Sequence, residues 1–180
     1  VQARLQSTLT KEVTKTALLS ERAAKLLLTG VSLNVRSGRL RGSVQSEVKT
    51  ESDGWQLALR AGGGARDVRY AAIHEYGGTI RPINGKYLAI PLPIARTAAG
   101  VSRYKSPRDM GNKLRFAMSQ SGQPMLVEAK GPNAGRPWYV LRRSVTMPAR
   151  PYLRPALNEQ GAALEARLEA AMKRAIEGAL

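Results

Sequence analysis

Residues 43–60 read SVQSEVKTESDGWQLALR, and the two halves of this stretch alternate apolar and polar side chains about a central turn. Val44 and Val48 mark the first run, Trp55, Leu57 and Leu59 mark the second, and Asp53-Gly54 stands between them. A strand shows its side chains to opposite faces with a period of two, and Asp-Gly favours a tight turn, so the stretch predicts a β-hairpin.

The flanks of the chain carry a different period. Val1, Leu5, Leu9, Val13 and Ala17, then Leu19, Ala23 and Leu27, recur at close to helical spacing, and Gly30 follows as a C-terminal stop. A second amphipathic helix is expected from Pro155, with Leu157, Leu164, Leu168, Met172, Ile176 and Leu180 on one face. Charges of both signs, Glu165, Arg167, Glu169, Lys173 and Arg174, mark its other face.

Between these helices the pattern is mostly strand-like. Residues 31–41 read as a loop, Gly62-Gly63-Gly64 as a flexible connection, and Tyr70 to Tyr76 as a short helical turn ended by Gly77-Gly78. Residues 79–83 and 86–92 flank Asn84-Gly85, which predicts a second hairpin. Further strands are expected at 113–119, 124–130 and 138–145, and the prolines of Met147 to Pro151 hold that segment extended. Helices bracketing runs of strands predict an α+β fold: an antiparallel β-sheet with hairpins, flanked by a long N-terminal helix and a C-terminal helix. One domain over 1–180 is expected, with 93–135 as a basic loop or arm insertion whose first part, 93–112, has no sustained period.

Composition excludes several chemistries. The 180 residues include one histidine and no cysteine, so thiolate zinc sites, disulfides and cysteine nucleophiles are absent. No run approaches the roughly 20 apolar residues of a membrane span. The first thirty residues mix Lys, Glu and Arg among the apolar positions, unlike a secretory signal.

Charge is the strongest compositional signal. There are 29 Lys+Arg against 13 Asp+Glu, a net charge of +16. Residues 91–150 carry eleven basic and two acidic side chains, while 151–180 carry four of each. Such a field attracts nucleic acid or acidic protein partners without reading sequence.

His74-Glu75 is the one catalytic-looking pair. Neighbouring side chains diverge on helices and strands alike, so the pair forms no dyad by itself, and His74 is expected to pack at a sheet edge. The carboxylates are scattered, no catalytic or metal-ligating constellation stands out, and no enzyme activity or cofactor is expected. Met118, Met125 and Met147 read as core filling, and Trp55 and Trp138 as core or interface anchors at strand starts.

Three stretches together resemble a known family. Ser37 to Val44 is similar to a small-Gly-x-Leu-x-x-Ser-hydrophobic entry into a strand. Tyr70 to Ile80 is similar to a Tyr-Ala-x-x-(His/Val)-(Glu/Gln)-aromatic-Gly signature. Met147 to Leu157 is similar to an (Ile/Met)-Pro-Ala-Arg-Pro-aromatic-Leu-x-Pro-Ala-Leu segment leading into a last helix. In this order they resemble the tail-completion, or head-tail joining, proteins of long-tailed bacteriophages, including the Mu-type virion morphogenesis proteins. The long segment 93–135 departs from the short members of that family.

The resemblance implies a structural virion protein at the neck or top of the tail, present in the host cytoplasm during assembly. The implied partners are copies of itself in a ring, six-fold to match the tail, a head-completion or connector protein, a tail terminator or tail tube protein, and packaged DNA in the lumen. No membrane is involved. Arg36, Arg39, Arg41, Arg103, Lys105 and Arg108 are the candidate contacts to DNA or to an acidic partner, because they lie in loops with few local acids. Tyr76, Trp138, Arg150, Tyr152 and Arg154 are the candidate assembly interface. The alternative from another class is a stand-alone nucleic-acid-binding protein that binds without sequence specificity.

Overall fold

The computed structural model describes residues 2–33, 35–63, 68 and 70–177; Val1, Gly64 and Leu180 of the sequence-based expectations lie outside the described residues. The fold is α+β, as expected: helix α1 (Gln2–Leu26) and helix α4 (Leu153–Glu177) stand at the two ends of the chain, with antiparallel strands between them. Within the chain two compact units are distinguished, residues 1–77 with 148–180, and residues 78–147.

In the first unit α1 packs along α4 and against a two-stranded sheet. The buried face of α1 runs through Val13, Thr16, Ala17, Ser20, Ala24 and Leu28, a helical stripe one step out of phase with the Leu19, Ala23 and Leu27 row expected from hydropathy. Its small residues leave room for α4, which buries Ala156 and Ala171. Arg167 of α4 donates to the Thr16 hydroxyl at 3.2 Å, so a charged position on the expected polar face is tied to α1. The α1 helix closes in a π-helical turn, Leu27–Val31, in which Gly30 takes φ 98°, a conformation that favours glycine.

The predicted hairpin forms as β1 (Gln45–Glu51) and β2 (Gly54–Arg60), with Glu51 opposite Gly54 across the turn. It is tied to α1 by Glu21, which accepts from the amide and hydroxyl of Ser46 at 2.9 and 2.8 Å, and by the Trp55 indole, which donates to the Thr10 hydroxyl. Before it, the expected loop contains the short helix α2 (Arg39–Gly42). Ala24, Leu28, Val44, Tyr152 and Ala156 form the core of this unit. After β2, helix α3 (Ala71–Tyr76) forms where expected and ends at Gly77.

The second unit corrects the second hairpin. Strand β3 (Gly78–Ile80) pairs with β8 (Val145–Met147), and β4 (Leu88–Pro91) pairs with β7 (Pro137–Arg142), so the residues on either side of Asn84-Gly85 do not pair with each other. Pro82 has no amide to give to a ladder, and Ile83 next to it is 93% exposed, so the apolar run stops short of the turn. The strands β5 (Leu114–Met118) and β6 (Pro124–Glu128) complete a four-stranded antiparallel sheet in the order β4-β7-β6-β5.

Half of that sheet therefore comes from the segment 93–135. Its first part, read from sequence as an irregular loop, holds two 3-10 segments, Pro93–Ala95 and Pro107–Lys113. Ser106 and Asp109 form a reciprocal capping box at the start of the second. Ala95, Met110 and Tyr139 are the buried centre of this unit. Met118, expected in the core, is instead 57% exposed.

Candidate assembly interface and basic surface

The sequence before α4 offers its first turn no capping side chain: Arg150, Pro151 and Tyr152 precede Leu153, and none is Ser, Thr, Asp or Asn. The amides of Tyr152, Leu153 and Arg154 nevertheless all find a partner, and it is Glu75 of α3. One carboxylate oxygen accepts from Tyr152 at 2.8 Å and Leu153 at 2.9 Å, and the other accepts from Arg154 at 3.0 Å. Pro155 has no amide to satisfy, so this single side chain answers every donor from the cap to the third helical position. A negative charge at a helix N-terminus is also favoured by the helix dipole.

Both oxygens of Glu75 are thus committed to backbone, and the side chain is 3% exposed. Ala71, one helical turn earlier, is buried on the same face. Tyr152, expected at an assembly interface, is a core residue instead: it is fully buried, and its hydroxyl reaches the Ala71 carbonyl at 3.5 Å. Its hydroxyl pKa is raised, first by burial and then by the nearby Glu75 charge.

His74 corrects a second expectation. It sits on α3 rather than at a sheet edge, half-buried, with the Tyr70 ring edge-on at 5.7 Å. Its carbonyl accepts the Arg150 amide at 2.7 Å. Burial, and then the Arg150 charge, lower the imidazole pKa below its ordinary value. Both effects favour the neutral ring over the imidazolium.

Around this buried lock the surface is aromatic and cationic. Tyr76 is 69% exposed on the far face of α3, and the Arg154 guanidinium lies 5.9 Å from its ring centroid. An exposed cation–π contact of this kind contributes about 0.5–1 kcal/mol. Tyr70 and Arg150 are exposed too. The structure therefore brings Tyr76 and Arg154 together in the first unit, which also holds Arg150, and places Trp138 in the second.

Trp138 is half-buried on β7, with its indole donating to Glu128 at 3.4 Å and its ring 6.4 Å from that of Tyr104. These three residues, with Met110, Lys113 and Lys130, line an open groove of about 720 Å³.

The basic candidates also divide between the units. Arg36, Arg39 and Arg41 lie on and beside α2 in the first; Arg103, Lys105 and Arg108 lie in the second, all exposed. Residues 78–147 carry twelve of the 29 basic side chains and only two of the 13 acidic ones. Asp109 is occupied by the Ser106 amide and Glu128 by the Trp138 indole. Among the described residues, the three ion pairs, Glu21–Lys25, Glu47–Lys49 and Glu47–Arg60, all belong to the first unit. Arg96 and Arg103 donate to the Pro91 and Arg96 carbonyls, which stiffens part of the cationic surface without neutralising it.

Among the described residues no group of three carboxylate or histidine side chains is placed to hold a metal ion, and no helix is long and apolar enough to cross a membrane. Comparison of the chain with protein-family models, with curated proteins and with solved structures gives no match.

Proposed function

We propose that this chain is a structural virion protein that joins the phage head or neck to the tail, as a subunit of a ring around the DNA channel. The observation that carries the reading is the Glu75 lock. The stretches Tyr70 to Ile80 and Met147 to Leu157, far apart in sequence, resemble the tail-completion family in order, and Glu75 couples them through three backbone hydrogen bonds. Capping uses both oxygens of Glu75, and in this reading the chain carries out no reaction and takes no cofactor.

Two further features support assembly. Ile83, Val31, Leu18, Ile176, Met118 and Phe116 are each more than half exposed, an apolar load that suits burial against other subunits. The cationic excess suits a lumen that DNA passes through, or acidic surfaces of a connector above and a terminator or tail tube below. In this reading Tyr76, Arg150 and Arg154 form the contact that the lock holds in place, and the ring is six-fold.

A second reading, a stand-alone nucleic-acid-binding protein, is favoured by one observation, the twelve-to-two ratio of charges in residues 78–147. Light scattering at two salt concentrations, with and without short duplex DNA, separates the two. A discrete multimer, or a monomer that assembles only on phage tails, supports the joining ring. A strict monomer that ignores tails and binds duplex tightly at low salt overturns it in favour of the second reading.

A further inference from the structure

Strand β5 is the last strand of its sheet, with β6 on one side and no strand on the other among the described residues. The pairing register shows which backbone groups face outward. The Ala129 amide donates to the Lys113 carbonyl at 2.8 Å and the Ser119 amide to the Gln123 carbonyl at 3.0 Å, while Leu114 stands opposite Glu128 and Phe116 opposite Leu126. Odd-numbered residues of β5 therefore exchange hydrogen bonds with β6, and the amides and carbonyls of Leu114, Phe116 and Met118 point to the open edge. Leu114 packs beside the buried cluster of this unit, but Phe116 and Met118 on the same face are 54% and 57% exposed.

Among the described residues the edge is thus unpaired in its backbone, and Phe116 and Met118 leave it half-uncovered in its side chains. An unpaired edge is a template for a further strand, and on this short edge Arg115 is the charged side chain that selects what pairs with it. On the opposite face of the strand Arg115 is exposed, and exposed Lys113 ends the 3-10 segment immediately before the strand.

We propose that the open edge of β5 takes up an extended acidic segment of a partner protein as a fifth strand. The charge pattern selects the occupant. An incoming antiparallel strand sets apolar side chains against Leu114, Phe116 and Met118 and acidic ones against Lys113 and Arg115. A second copy of β5 offers Phe116 to Phe116 but no carboxylate to Arg115, and it adds another strongly basic unit to the pair. This inference stands apart from the head-tail reading, since an edge-binding strand serves any assembly.

The test uses the full chain and a labelled synthetic peptide with a central Val-Ser-Val-Glu-Val-Glu block, which in antiparallel register opposes residues 118 to 113, against a control with Lys in place of Glu. The wild-type chain is expected to bind the acidic peptide and not the basic one. Arg115→Glu is expected to reverse that preference, and Phe116→Lys to weaken acidic-peptide binding about fivefold. On binding, amide hydrogen exchange at Leu114, Phe116 and Met118 is expected to slow, while Arg115 and Ala117 are protected in the free protein already. Equal binding of both peptides, no binding of either, or binding that leaves those three amides fast overturns the proposal. So does self-association that is lost in Phe116→Lys, which assigns the edge to a second copy.

Discussion

The Glu75 carboxylate accepts the backbone amide of Tyr152 at 2.8 Å, 77 residues further along the chain, and the two groups are buried together. The same side chain takes the next two amides, so the start of α4 is capped by another helix rather than by its own sequence. An orphaned buried donor costs about 1–3 kcal/mol, and removal of the carboxylate orphans the buried Tyr152 amide together with the part-buried amides of Leu153 and Arg154.

Glu75→Ala is expected to destabilise the protein by about 3 kcal/mol or more, a melting temperature lower by about 6–12 °C for a chain of this size. Glu75→Gln is expected to fall between the variant and wild type. Calorimetry on the two variants checks the order. Tyr76→Ala, on the exposed face of the same helix, is expected to leave stability within about 1 kcal/mol of wild type. An unchanged melting point for Glu75→Ala removes the lock from the account.

Gly62 combines φ +79° with a close approach: a Cβ there meets the Val68 carbonyl oxygen at 2.9 Å and the Ala71 Cβ at 3.3 Å. Gly62→Ala is therefore expected to cost about 2 kcal/mol, from a left-handed backbone plus a clash with main-chain atoms. Gly38, also left-handed at φ +70° but with open space where a Cβ would stand, is expected to tolerate alanine better. Denaturant titration of the pair tests the difference, and equal losses exclude the steric part.

His74 makes stability fall on acidification. Burial, then the Arg150 charge, hold its folded pKa below the unfolded value of about 6.5. The unfolded chain then binds the proton more readily, so the stability His74 contributes is complete above about pH 6.5 and is lost as pH falls below that value toward the folded pKa. His74→Gln is expected to flatten the change in unfolding free energy between pH 7.5 and 5.5, measured by denaturant titration. A slope equal to that of wild type places the sensitivity elsewhere.

Ser20 is fully buried on α1, and among the described residues its hydroxyl has no hydrogen-bond partner. Ser20→Ala removes an unsatisfied polar group from the interior and is expected to be neutral or stabilising by up to about 1 kcal/mol. Thr16, equally buried, donates to the Glu12 carbonyl and accepts from Arg167, so Thr16→Val is expected to destabilise. Opposite signs in thermal unfolding are the expected result.

Arg150→Ala is expected to reduce association with tails while leaving the melting temperature within about 3 °C of wild type, because only an exposed side chain is removed and the hydrogen bond from the residue 150 backbone amide to the His74 carbonyl remains. Sedimentation with purified tails measures the first quantity and calorimetry the second. Normal association by a folded Arg150→Ala protein removes this residue from the interface.

The sequence by itself determined the local elements. The β1–β2 hairpin follows from alternation and Asp53-Gly54, α1 and α4 from helical spacing, and α3 from a short apolar turn closed by Gly77. Each signal lies within a few residues of what it specifies, which is why it was legible. The strong basic balance was equally plain from composition.

Only the tertiary structure decided what depends on residues far apart. Asn84-Gly85 carries a strong local turn signal, yet β3 pairs with β8 and β4 with β7, because strand partners are chosen by packing and available amides rather than by the nearest turn. The buried stripe of α1 includes polar Thr16 and Ser20, which hydropathy alone assigns to water. Glu75 shows no partner in the sequence, because its three amide donors lie 77 to 79 residues away and reach it only in the fold. The helix expected from Pro155 begins two residues earlier, at Leu153, where no neighbouring side chain can cap it. Which side chain does so depends on the approach of α3 to α4, and no spacing rule along one chain contains that distance.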